Sequence, residues 1–103
     1  MTELTFEQID SMPAGRETRQ ALIDAGLWDS KDERDPSQDI TAAWQVLEKF
    51  KADGWAVEVQ WEIMDGGGDW FCALDNSHKE WYGFAETAML AICRAALKAV
   101  VNV

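Results

Sequence analysis

Positive charge is scarce in this sequence. Nine Lys and Arg residues stand against 19 Asp and Glu, for a formal net charge of −10. Affinity for nucleic acid comes largely from neutralising phosphates, so this balance opposes direct binding to DNA or RNA. It opposes docking on an anionic membrane surface for the same reason. A protein partner with a basic surface fits instead.

Histidine is nearly absent. His78 is the only one, and a Ser-His-Asp or Cys-His unit would have to use it. It falls in a predicted hairpin turn, away from any strand–helix elbow. Two cysteines, Cys72 and Cys93, make neither a disulfide framework nor, with one histidine, a zinc set. Both sit in apolar runs and read as buried thiols. No apolar run reaches the ~18 residues of a membrane span. The start, Met1-Thr-Glu-Leu-Thr5, lacks the basic and apolar segments of a leader peptide, so a cytoplasmic location is expected. The run Gly66-Gly67-Gly68 lacks the Lys-Ser/Thr of a phosphate loop and joins two strands. Glu58 and Glu62 lie roughly 13 Å apart along a strand, too far for a paired-carboxylate glycosidase. No catalytic, cofactor or metal residues are assigned, and the chain is expected not to be an enzyme.

What is present is a strong alternation. Trp55, Val57, Val59, Trp61 and Ile63 point one way; Ala56, Glu58, Gln60, Glu62 and Met64 point the other. Asp65 to Gly68 is a turn signal, Asp69–Leu74 a second strand, Asp75–Lys79 a second turn, and Trp81–Phe84 a third strand. An even loop at Gly66-Gly67 pairs Ile63 with Trp70, Trp61 with Cys72 and Val59 with Leu74; the second turn pairs Leu74 with Trp81. One face is then apolar: Val57, Val59, Trp61, Ile63, Trp70, Cys72, Leu74, Trp81. The other is mixed, with Phe71, Tyr82 and Phe84 among glutamates. Either a helix covers those rings or a partner does. Most of the six tryptophans are expected in the core, with one or two left as interface anchors.

Around this meander the helix signals are clear. Thr5 and Gln8 form a capping box for a short helix to about Ser11. Pro13 opens a second, over Ala14–Ala25, which Gly26 stops. An acidic loop, Asp29–Gln38, reads as an exposed connector or a partner-contacting loop. Asp39 caps a third helix with Ile40, Ala43, Trp44, Leu47 and Phe50 as its apolar stripe, ended by Gly54. Thr87 caps a last, broadly apolar helix through Val101. The expected fold is α+β: one domain over 1–103, a three-stranded antiparallel meander with helices packed on its faces, order α-α-β-β-β-α.

Met12-Pro-Ala-Gly-Arg-Glu17, Asp39-Ile-Thr-Ala-Ala-Trp44 with Val46-Leu-Glu-Lys49, and Thr87–Leu97 resemble the phage ABA sandwich domain family. The resemblance implies an α-β-α layered fold and a small phage or prophage protein, hence the cytoplasm of a bacterial host. It implies no catalytic residues. The α-β-β-β-α order from Asp39 onward is also that of a double-stranded-RNA-binding domain, but its basic contacts are missing.

The expected function is therefore binding to a protein. The specific expectation is an inhibitor of a host nucleic-acid-directed defence system, anti-CRISPR-like, with carboxylates imitating phosphates. Candidate contact residues are Asp29, Asp32, Glu33, Asp35, Asp65, Asp69, Glu58, Glu62 and Tyr82. The alternatives are a nucleotide-binding or nucleotide-sequestering protein and a homo-oligomer subunit.

Overall fold

The computed structural model describes residues 4–101; Met1–Glu3, part of the stretch read above for a leader, lie outside them. The order is α1 (Phe6–Ser11), α2 (Arg16–Asp24), α3 (Ile40–Ala52), β1 (Ala56–Met64), β2 (Gly67–Asp75), β3 (Glu80–Ala85) and α4 (Ala88–Val101). The fold class is the expected one, an open antiparallel sheet in the order β1-β2-β3 with helices packed against it. The short α1 counts as a helix of its own, so three helices precede the strands.

Local chemistry explains most boundaries. The capping box forms: Thr5 N–H donates to Gln8 Oε1 at 2.8 Å and Gln8 N–H to Thr5 Oγ1 at 3.1 Å. Asp39 caps α3 through Ala42 N–H, and Thr87 caps α4 through Leu90 N–H. Helix α3 closes with paired bonds from Gly54 N–H to Lys51 O and from Trp55 N–H to Phe50 O, both 3.0 Å. The same two residues then meet edge to face, Phe50 on Trp55 with centroids 5.0 Å apart, which turns the chain back onto the sheet. Helix α2 starts at Arg16, later than Pro13 suggests. The Thr18 hydroxyl donates to Pro13 O, and Gly15 N–H donates to Ser37 Oγ, so this corner serves the loop that follows α2.

The first hairpin differs from expectation by two residues. Trp61 pairs with Trp70, Val59 with Cys72 and Val57 with Leu74. The turn is Asp65-Gly66, with Gly66 at φ 88°, a conformation that favours glycine. The indole of Trp61 lies over Gly68, where an added Cβ would come 2.5 Å from Trp61 Cζ2. The faces keep their identity because the shift is even. The second turn pairs Leu74 with Trp81 as expected.

Helix α4 lies over β3 and β2, and its contact with β1 is slight. Cys72, Leu74, Trp81 and Ala85 are buried beneath it with Leu90, Ile92, Cys93 and Leu97. Helix α3 packs beside α4, while α1 and α2 meet α4 on its far side, so α4 is buried almost all round. The expected apolar sheet face is therefore only partly covered. Val57 and Val59 are half-buried, and Trp61 and Ile63 are 49% and 86% exposed, because they lie beyond the reach of α4. The buried stripe of α3 is Ala42, Ala43, Val46, Leu47 and Phe50, which leaves Ile40 and Trp44 outside. Among the tryptophans, Trp28 and Trp81 are buried, Trp55 and Trp70 half-buried, and Trp44 and Trp61 exposed.

Candidate functional site

The face of the sheet turned away from α4 is the candidate. Alternation and register place its side chains in rows: Glu58–Ala73–Tyr82, Gln60–Phe71–Phe84, and Glu62 beside Asp69. Phe71 forms the centre. Its ring stacks on Tyr82 with centroids 5.5 Å apart and meets Phe84 at 5.0 Å. Those two rings bury it, and Phe71 is no part of the core cluster beneath α4. Among the described residues no helix covers the group, which decides against the helical cover that the sequence left open: Tyr82 and Phe84 remain 40% and 41% exposed.

Carboxylates surround the rings. Glu58, Glu62, Asp69, Asp75 and Glu80 all share this face by parity, and the three strands contain no Lys or Arg. Gln60 Nε2 donates to Glu62 Oε1 at 3.1 Å, and the Tyr82 hydroxyl donates to Glu80 Oε2. The result is an apolar centre bordered by carboxylates on the strands, with the cations of Arg94 and Lys98 reaching only the outer edge of β3.

Four of the residues singled out from sequence come together here: Glu58, Glu62, Asp69 and Tyr82. Asp65 stands in the turn at the end of this surface. Asp75 and Glu80 were missed, although the same alternation marks them. Asp29, Asp32, Glu33 and Asp35 lie elsewhere, on a loop held by α2 and α3.

That loop is more built than its composition suggests. Arg19 donates to the carbonyls of Ser30, Asp32 and Arg34. The Trp28 indole N–H is shared between Asp32 O at 3.3 Å and Arg34 O at 3.1 Å. The Arg34 guanidinium sits 5.3 Å from the Trp28 ring centroid and pairs with Asp32 at 2.6 Å. Asp35 Oδ1 accepts from both the N–H and the hydroxyl of Ser37. Asp29 accepts from Lys31 N–H, and Glu33 is exposed. Most of these carboxylates thus shape their own loop.

Hydrogen bonds from the Arg34 side chain, then from its backbone N–H, hold the Asp32 carboxyl down from 3.8 to about 2. A depressed carboxylate stabilises the fold above its unfolded pKa and loses that contribution as pH falls through the folded one. The tie between Asp32 and Arg34 should therefore weaken between about pH 4 and pH 2. A carboxyl-carbon NMR titration should give Asp32 a midpoint near 2; a midpoint in the ordinary carboxylate range would mean that the pair does not form in solution.

Other chemistry is sparse among the described residues. Burial pushes the Cys72 thiol up to about 12 and, more strongly, raises Cys93, so neither is a thiolate at neutral pH. His78 is exposed in the second turn, its N–H bonded to Asn76 Oδ1. No three His, Cys, Asp or Glu side chains gather to hold a metal ion, and no helix is long and apolar enough to cross a membrane. An open groove of about 1050 Å³ runs between α1, α2 and the end of α4, lined by Leu4, Met12, Ala21, Ala25 and Leu97 among others. It brings together none of the predicted contact residues.

The model of the phage ABA sandwich domain matches residues 8–97. A solved structure, a phage protein from Bacillus cereus ATCC 14579, superposes with a TM-score of 0.61 at 26% identity over 86% of this chain and 97% of that one. No curated protein matches. With nearly its whole length matched, the chain belongs to the phage ABA sandwich domain family.

Proposed function

We propose that this small phage protein acts without catalysis, by binding a host protein that presents a basic surface. The observation that carries this reading is the open sheet face, where exposed Tyr82 and Phe84 stand inside a ring of carboxylates with no cation on any strand. Arginine from a partner suits both parts of it. Its guanidinium can lie over the rings and pair with Glu58 or Glu62 at their border, and a cation–π contact contributes about 0.5–2 kcal/mol. A nucleotide would need cations that this face lacks.

The phage setting narrows the class of partner. Host enzymes that grip DNA or RNA carry basic grooves, and carboxylates can occupy the places of phosphates. Inhibition of a nucleic-acid-directed defence nuclease, an anti-CRISPR role included, is the specific form of this proposal.

The test is capture of a basic partner from bacterial lysate at low and at moderate salt, in parallel with the Tyr82→Ala/Phe84→Ala pair. We expect a partner that elutes as salt rises and binds the double variant at least about tenfold more weakly, a loss of about 1.4 kcal/mol. Equal retention by both proteins, or indifference to salt, would sink the reading.

A further inference from the structure

The two outer strands finish their free edges differently. At β3, α4 closes the edge: Lys98 Nζ donates to Tyr82 O at 2.9 Å and Arg94 Nη1 to Phe84 O at 2.7 Å. These carbonyls alternate away from β2 and would otherwise stand open. At β1 no side chain and no other strand among the described residues does the same.

The phase of that bare edge follows from the turn. A two-residue turn at Asp65-Gly66 makes Met64 and Gly67 a closely bonded pair. The even-numbered residues of β1 then bond to β2. Val57, Val59, Trp61 and Ile63 turn their N–H and C=O groups outward. The Tyr82 and Phe84 carbonyls agree with this phase, since it assigns the odd residues of β2 to β1 and the even ones to β3.

Nine consecutive pairs run without a bulge, and β1 contains neither proline nor lysine. Of the usual guards of an edge strand, β1 has only the charges of Glu58 and Glu62, which stand on the open face. The residues with free main-chain groups also carry apolar side chains, with Trp61 and Ile63 largely uncovered. The residues between them place Glu58 and Glu62 on the acidic open face.

We propose that the β1 edge takes up an extended segment of the partner as a fourth strand, one in which large apolar residues alternate with Lys or Arg. Its main chain satisfies the outward groups of Val57, Val59, Trp61 and Ile63. Its apolar side chains continue the row of Trp61 and Ile63, and its cations stand beside Glu58 and Glu62. A second copy of this chain fits less well: paired β1 strands would bring Glu58 and Glu62 of both copies onto one face with no strand cation between them, and the register about Gln60 would set Glu58 against Glu62. The proposal rests on the reading of the open face as a dock for a basic protein, and it adds the mode of docking.

The probe is an end-capped octapeptide alternating lysine with valine and isoleucine. Its control carries N-methyl groups on the amides of one edge. Amide hydrogen exchange and NMR shifts of the whole protein give the readout. We expect exchange at Val57, Val59, Trp61 and Ile63 to slow at least about tenfold with the peptide, and the N-methylated control to bind at least about tenfold more weakly. Val59→Pro removes an outward N–H that β2 does not use, so it should keep the fold and lose the peptide. If that variant fails to fold, the N-methylated control still decides.

Peptide shifts at Tyr82 and Phe84 without protection at β1 would overturn strand addition and leave the open face standing. No binding at low salt would overturn strand addition, while the Tyr82→Ala/Phe84→Ala capture reports on the face separately. A dimer in sedimentation that Val59→Pro dissolves would overturn it too, because the occupant is then a second copy.

Discussion

Gly83→Ala should lower the thermal midpoint by about 12 to 24 °C, the equivalent of about 3 kcal/mol for a domain of this size. Gly83 faces α4 from β3, and a Cβ there would strike Ala91 O and come 2.6 Å from Ala95 N. Both are main-chain atoms of a helix and cannot rotate aside. Relief requires α4 to lift from the sheet, and α4 is the element that every other element packs on. Small residues on the helix, Ala91 and Ala95, permit this closeness, and glycine completes it. Calorimetry or a circular-dichroism melt measures the effect. A midpoint within about 3 °C of wild type would mean that the helix and sheet have slack at this point.

The second large effect belongs to Trp28. Trp28→Ala should cost about 3–5 kcal/mol in urea unfolding, the usual loss for truncating a buried aromatic. Trp28 is 7% exposed and joins the core cluster with Leu22 and Leu27. Its indole N–H also holds Asp32 O and Arg34 O, while its ring supports the Arg34 guanidinium. Trp28→Phe separates the two roles: it keeps most of the apolar burial and removes the donor, for a loss of about 1–2 kcal/mol. In both variants, amides of the acidic loop should exchange faster than those of α4. A change below about 1 kcal/mol for the alanine variant would show that the loop is held without this pin.

These two residues mark the limits of what the sequence discloses. Parity was legible throughout the meander: alternation in Trp55–Ile63 assigned Glu58 and Glu62 to one face and Val57 and Val59 to the other, as the register has it. The second turn, the capping box at Thr5 and the extent of α4 were legible for the same reason, since each depends on neighbours along the chain. The first turn lies one residue earlier than the pattern suggests, which shifts the pairing by two, and a shift of two leaves every side chain on its face and the hydrophobic pattern unchanged. The fit of the Trp61 indole over Gly68 fixes the difference, and that contact is not a pattern.

Cover was harder to read than direction. Trp61 and Ile63 have apolar partners in the sheet, yet the position of α4 over β2 and β3 leaves them outside. Likewise Ile40 and Trp44 continue an apolar stripe that is wider than the surface α3 has to bury. At the candidate site, Phe71, Tyr82 and Phe84 were placed together by alternation, but their openness follows from where the helices gather. The loop was underestimated because its hub, Arg19, is distant in sequence from the carbonyls it holds.

The contrast between the two sheet edges sets a limit on assembly. Lys98 and Arg94 occupy the outward carbonyls of Tyr82 and Phe84 on β3, which leaves β1 as the open edge for pairing. Growth of a continuous sheet needs two open sides per unit, one to accept and one to pass on. A unit with one open side terminates whatever it joins. Strand addition at β1, as proposed, therefore implies one added strand per molecule, and the side chains on β3 keep the long apolar edge of β1 from seeding a fibre.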